Sequence, residues 1–219
     1  MDSTLATQDN FITPGGRFAL LALTMKQTEI VNKNNCQVIL FEDALQIDKS
    51  IFVQLHNDIN WRKDNIQIFG KNIPIPRYHS WYADNQNLTY KYSSILMYPN
   101  SWTPILKKIK AKTEEIAKHK FNSALVNLYE TGKDYAAWHS DDEKELGKNP
   151  IIASVSLGET RSFHLRHKKT NETIKINLTN GSILTMTGET QHLYKHQLAK
   201  TVKNVGPRIN ITFRNIIND

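Results

Sequence analysis

His139, Asp141 and His196 are the side chains of this sequence best suited to hold a metal, and Arg208 and Arg214 follow them. His139 and Asp141 are two positions apart, so in an extended segment they point the same way. One local pair with one remote histidine is how a rim of distant strands assembles three ligands. Three protein ligands leave half of an octahedron open, the arrangement of a non-haem Fe(II) centre that must also take a chelating 2-oxo acid and O2. A structural zinc site is instead closed by four ligands, usually with cysteines, and Cys36 is the only cysteine here. The two arginines suit the carboxylates of a dicarboxylic acid, because a guanidinium offers a two-pronged, charge-assisted fork. His192 competes with His196 for the remote place, and composition does not separate them.

These residues need elements that bring them together. Residues 38–41 read as a strand. Residues 50–61 carry Ile51, Phe52, Leu55 and Ile59 at helical spacing, with Ser50 as the N-cap. Residues 66–71 read as a strand entering a tight turn at Gly70. A second helix is expected over 103–119, with Ile105, Ile109 and Ile116 on one face. Short β-rich pieces follow at 124–128, 151–157, 162–166, 173–178, 182–187 and 210–213, several parted by Gly or Asn turns. Helices followed by many short strands predict an α+β protein with a mainly β core, a sandwich or jelly roll with the N-terminal helices on its flank.

The bulk properties set wider bounds. A chain of 219 residues fits one compact domain. It buries roughly 70% of its unfolded surface and needs no disulfide or metal staple. A lone Cys36 suits a reducing, intracellular compartment, cytoplasmic or nuclear. The 28 Lys and Arg against 21 Asp and Glu leave a net charge of +7, which fits a polyanion such as nucleic acid as well as an ordinary basic protein. The apolar run 18–25 is too short to cross a membrane, and the opening lacks the pattern of a signal peptide. Residues 1–35 read as an arm or lead-in and 36–219 as a single domain, with no membrane association and a monomer expected.

From about Val38 to Ile216 the chain resembles the AlkB family of Fe(II)/2-oxoglutarate-dependent nucleic-acid demethylases. The blocks that carry the resemblance are Asn127-Leu128-Tyr129, His139-Ser140-Asp141-Asp142-Glu143, residues 150–158, Arg161-Ser162-Phe163, His196-Gln197-Leu198 and residues 207–214. The resemblance implies a double-stranded β-helix, a jelly-roll variant, with residues 36–119 bearing a nucleotide-recognition hairpin and helices and residues 120–219 the core. It implies His139, Asp141 and His196 as iron ligands, His196 being preferred to His192 because it precedes Gln197-Leu198. It places Arg208 on the distal carboxylate of 2-oxoglutarate and Arg214 near the carboxylate next to the metal. Asn127, Tyr129 and Asn210 become neutral donors to the same co-substrate. The implied reaction uses Fe(II), O2 and 2-oxoglutarate, and removes an N-methyl group from a damaged base with release of formaldehyde, succinate and CO2.

On the substrate side, Ile68-Phe69-Gly70-Lys71 resembles the hairpin of the branch that repairs double-stranded DNA. Phe69 would be the wedge that fills the stack where the base has flipped out, with Gly70 at the tip. Arg77, Tyr82, Tyr90 and Tyr92 form a cationic and aromatic set beyond it, and stacking a base on an aromatic contributes about 1–3 kcal/mol. The resemblance places Tyr92 over the flipped base against His139, and Tyr90, Asp142 and Glu143 around that base. Two carboxylates suit cationic lesions such as 1-methyladenine and 3-methylcytosine. Arg161 is counted with the substrate contacts. Lys168, Lys169, Lys200 and Lys203 are expected to meet phosphates, while the lysines of residues 107–112 read as a solvated helix face.

Overall fold

The computed structural model describes residues 25–68, 71–92 and 95–217, with the side chains of residues 66–68, 71, 90–92 and 95 outside that description. Phe69 and Gly70 lie outside the described residues, as do the side chains of Tyr90 and Tyr92.

The elements run β1 (Lys26–Lys33), β2 (Cys36–Glu42), α1 (Lys49–Asp58), β3 (Asn65–Ile68), β4 (Lys71–Pro74), β5 (Tyr78–Ala83), β6 (Tyr90–Tyr92), β7 (Ile95–Met97), α2 (Pro104–Ala117), β8 (Ser123–Tyr129), β9 (Ala136–His139), β10 (Ile152–Gly158), β11 (Arg161–His167), β12 (Thr173–Leu178), β13 (Ile183–Gly188), α3 (Thr190–Leu193), β14 (Tyr194–Leu198) and β15 (Arg208–Arg214). A seven-stranded sheet in the order β1-β2-β13-β10-β15-β8-β5 and a four-stranded sheet in the order β12-β11-β14-β9 make the jelly roll. The strand pairs β3-β4 and β6-β7 are separate antiparallel hairpins.

The central strands are buried on both faces, and the two faces differ. On β10 and β15, Ala153, Val155, Leu157, Ile209, Ile211 and Phe213 join Leu55 of α1 and Leu106 and Ile109 of α2 in the larger core. Burying each large one of these contributes roughly 1.5–3 kcal/mol. The inner face carries Ile152 into a second core with Leu165, Ile176 and Met186, between the sheets. The rest of the inner face is polar and still buried: Ser154, Ser156, Arg208, Asn210, Thr212 and Arg214. Buried polar side chains must find partners or a ligand, so this face locates the site.

Several expectations are corrected by the local physics. Lys26–Lys33, expected within the lead-in, instead pair with β2 as an edge strand. The hairpin is made by Asn34 and Asn35, whose φ values of 53° and 55° suit a two-residue primed turn. Helix α1 is capped by Asp48, not Ser50: the Asp48 carboxylate accepts the Ile51 N–H at 2.9 Å, and Ser50 lies within the first turn. On α2 the buried face is Leu106, Ile109, Thr113 and Glu114, and Ile105 and Ile116 only flank the core. Tyr78–Ala83, for which no strand was expected from the sequence, is the β5 edge of the larger sheet. No helix of the described residues is long and apolar enough to cross a membrane.

Glu114 is a buried carboxylate that fastens α2 to the following turn. It accepts from Lys110 Nζ at 2.8 Å, Lys120 Nζ at 2.9 Å and the Phe121 N–H at 3.0 Å. Burial alone would raise its pKa, but these donors outweigh burial and bring it down to about 2. A depressed carboxyl stabilises the fold above its unfolded pKa of 4.5, and that stability fades as pH falls towards about 2. Glu114→Gln should therefore destabilise the protein by about 2–3 kcal/mol at pH 7. The gap from wild type should close in denaturant titrations near pH 2–3; a pH-independent gap would contradict this account.

Candidate active site

The three ligand candidates come together between the sheets. His139 ends β9, and its partner across the strands is His196 of β14. Asp141 lies two residues past His139 and is 1% exposed. Its Oδ1 is 3.8 Å from His139 Nε2, its Oδ2 is 4.0 Å from His196 Nε2, and the three candidate ligand atoms lie within 4.8 Å of one another. His192 is exposed on α3 and takes no part in this cluster.

The surroundings prepare these groups for a cation. His139 Nδ1 lies 2.7 Å from the Ala137 carbonyl, so as a donor it leaves the Nε2 lone pair aimed at Asp141. Phe163 stacks on the His196 ring at 5.2 Å. Burial lowers the pKa of both histidines, His196 to about 3, and a metal binds the neutral ring. Burial alone would raise Asp141, but Arg214, His196 and His139 hold it well below the usual carboxylate range. Asp141 Oδ1 is buried and has no hydrogen-bond partner. An ionised, orphaned oxygen facing two neutral imidazoles fits a divalent cation, and His2Asp with free positions fits Fe(II).

The polar residues of β15 and β8 line the same pocket. Arg214 Nη2 reaches Asp141 Oδ2 at 2.9 Å. Arg208 is 2% exposed, donates from Nη2 to Ser156 Oγ at 2.9 Å and lies 5.5 Å from the centre of the Tyr129 ring. Burial pushes its pKa down to about 10, so it remains a cation near neutrality. Its Nε has no partner, and no ion pair among the described residues offers it a carboxylate. A buried guanidinium without a counter-ion is costly, and a dicarboxylic ligand would supply one. Asn210 donates to Ser154 Oγ at 2.8 Å and to the Val155 carbonyl at 3.0 Å, while Asn127 accepts from Arg77 Nε at 2.9 Å. Arg77, Asn127, Tyr129 and Asn210 all line the pocket.

Two expected substrate contacts are corrected. Tyr82 is 1% exposed and stacks on Trp102 in the larger core, on the face of β5 turned away from the pocket. Arg161 is 3% exposed, and its guanidinium donates to the carbonyls of Thr131, Asp134 and Ala199. It ties the loops before β9 and after β14 together. Arg161→Met should cost about 3 kcal/mol of stability, since it strands buried carbonyls. Calorimetric unfolding would show the loss, and an unchanged melting temperature would contradict the role of Arg161 as a tie between the loops. Asp142 sits half-exposed beside the cluster, 3.5 Å from Lys168 Nζ, and Glu143 follows it at the start of a 3-10 turn, Lys144–Leu146.

Sequence reasoning missed four supporting residues. Gln191 is buried and its Oε1 accepts the Asp141 N–H at 3.0 Å. Ser140 Oγ donates to the Tyr194 carbonyl at 2.9 Å, pinning the other side of Asp141. Ser154 and Ser156 meet Asn210 and Arg208 as described above. Ser154 and Ser156 carried a signal, small polar residues on alternate positions of the otherwise apolar β10; Ser140 and Gln191 carried none.

Comparison with known proteins agrees with this geometry. The 2OG-Fe(II) oxygenase superfamily matches residues 40–214. The alpha-ketoglutarate-dependent dioxygenase alkB homolog 3 of Bos taurus is 41% identical over 189 residues, covering 82% of this chain and 65% of that protein. The chain thus spans about 65% of the length of that relative. The DNA oxidative demethylase ALKBH2 of Mus musculus is 34% identical over 194 residues, covering 84% of this chain and 80% of the relative. The solved structure of OsALKBH1 superposes with a TM-score of 0.59 over 81% of this chain and 97% of that one, at 18% identity, which is a likeness of fold.

Proposed function

The chain belongs to the AlkB family of the 2OG-Fe(II) oxygenase superfamily, and from that premise we propose that it is an oxidative demethylase of N-alkylated bases in DNA. The observation that carries the reading is one pocket holding both an open His-Asp-His cluster and a buried Arg208 with no carboxylate partner among the described residues. His139, Asp141 and His196 would hold the iron, Arg208 the distal carboxylate of 2-oxoglutarate, and Asn127, Tyr129 and Asn210 its remaining polar atoms. Fe(II) held there would supply an O2-dependent oxidation in which 2-oxoglutarate would become succinate and CO2 and the N-methyl group would be hydroxylated and lost as formaldehyde.

The chain's own residues prepare that chemistry. Arg214 keeps Asp141 ionised and fixed in orientation. Leu125, Phe163, Met186 and Leu198 line the pocket with apolar surface and limit water. The base must leave its stack to reach the pocket. Asp142 and Glu143, next to the cluster, place negative charge where a cationic base such as 1-methyladenine or 3-methylcytosine would arrive. The net charge of +7 suits the phosphates around it.

The test supplies Fe(II), ascorbate, 2-oxoglutarate and oligonucleotides with one 1-methyladenine, single-stranded and duplex, and reads base mass and succinate. Loss of one methyl mass, absent with His139→Ala, is the expected result. Succinate formation with no repaired base would move the enzyme to another substrate. Repair of the single strand alone would retire the Phe69 wedge.

A further inference from the structure

The outer face of the four-stranded sheet carries cations that no ion pair among the described residues neutralises. Trp138 directly precedes the inward-facing His139 on β9 and so takes the opposite face. Arg166 Cζ lies 4.2 Å from the centre of the Trp138 ring, Lys195 Nζ 5.9 Å from it, and the His164 ring 6.3 Å away. Lys195 is opposite Arg166 across β14 and β11, and Lys175 is opposite His164 across β11 and β12. None of the ion pairs among the described residues uses Arg166, Lys175 or Lys195. The outward positions of these strands hold no carboxylate. By contrast, the α2 lysines Lys110 and Lys112 pair with Glu114 and Glu115.

We infer that this face binds the phosphodiester strand flanking the target base, with Trp138 at the end nearest the pocket. The inference rests on the nucleic-acid reading above. Charge complementarity selects the occupant: unpaired cations around an aromatic on an open sheet are what a single-stranded polyanion requires, with affinity and no sequence choice. Position selects it too, because Trp138 directly precedes the ligand candidate His139 on the edge strand. A strand leading away from a base in the pocket crosses that edge onto the sheet. Burial lowers the His164 pKa, and the neighbouring Lys175 and Arg166 lower it further, in keeping with a positive face.

The test compares wild type with Lys175→Gln/Lys195→Gln, using a 16-mer and a 4-mer that each carry a central 1-methyladenine. For the 16-mer, anisotropy should show affinity reduced about tenfold at low salt and a log K against log salt slope smaller by about 1.4, which is two single-strand contacts. Demethylation of the 4-mer, too short to reach the face, should be unchanged. Wild-type affinity and slope in the double variant would overturn the inference, as would equal loss on both lengths, which would locate the effect in the pocket. Protection of Lys175 and Lys195 from acylation by the 16-mer is a second measurement, and its absence would also overturn it. A wild-type protein that neither binds nor demethylates either oligonucleotide would instead fail the nucleic-acid reading itself.

Discussion

Asp141→Asn should abolish turnover while leaving the fold assembled. The carboxylate faces two imidazoles and the Arg214 guanidinium, and its Oδ1 has no protein donor. An amide keeps the shape, loses the charge that attracts the metal and turns Arg214 towards a neutral group. Breaking a buried charge pair costs about 3–5 kcal/mol, a factor of roughly 10² to 10³ or more in an equilibrium or rate. Formation of succinate should fall by at least that factor. A thermal shift gives a second reading. Wild type should be stabilised by a divalent metal, by about 2.7 kcal/mol at a hundred times its dissociation constant, and the variant should show no shift. A variant that melts later with metal and still forms succinate would remove Asp141 from the ligand set.

The second large effect concerns Arg208 and has opposite signs in two assays. A 2% exposed guanidinium that donates to Ser156 Oγ, lies by the Tyr129 ring and has no carboxylate partner among the described residues is costly in the ligand-free protein. Arg208→Met should leave the ligand-free protein as stable as wild type or more so, because replacing a buried ion by an apolar side chain of similar size is often neutral or favourable. The same change should weaken 2-oxoglutarate binding by about ten- to a hundredfold or more, the 1.5–3 kcal/mol of a charge-assisted contact. Arg208→Lys should lie between, since it keeps the charge and loses the fork. Unchanged 2-oxoglutarate affinity in Arg208→Met, measured by calorimetry, would show that the co-substrate lies elsewhere.

Much of the β core could be read from the chain, and the reasons differ by element. Strands β8, β10, β11, β12 and β13 are runs of apolar or alternating residues bounded by turns, and the expected bounds fall within a residue or so of those observed. Strands β9 and β14 went unread because Ala136–His139 and Tyr194–Leu198 mix polar and aromatic residues with little periodicity. Their strand state comes from pairing with each other and with β11, a long-range contact that local propensity does not encode. Tyr82 and Arg161 went wrong for a related reason: an aromatic or a cation near recognised motifs looks functional until its facing direction is known.

By itself, the sequence determined the chemistry on offer. Residue type decides what atoms can ligate or pair, so two histidines, a carboxylate and two arginines limited the reactions before any fold was known. The alternation of Arg208, Asn210, Thr212 and Arg214 with Ile209, Ile211 and Phe213 also determined that one face of the last strand is polar. Only the tertiary structure decided that this polar face is the interior of the site and not its wet exterior. Alternation specifies two faces, and it is the packing of the larger core and helices on the apolar one that leaves the other to close over the ligands. The choice of His196 over His192 has the same physical origin. Both have the same side chain, and only the register of β14 against β9 brings one of them to His139 while α3 leaves the other in solvent.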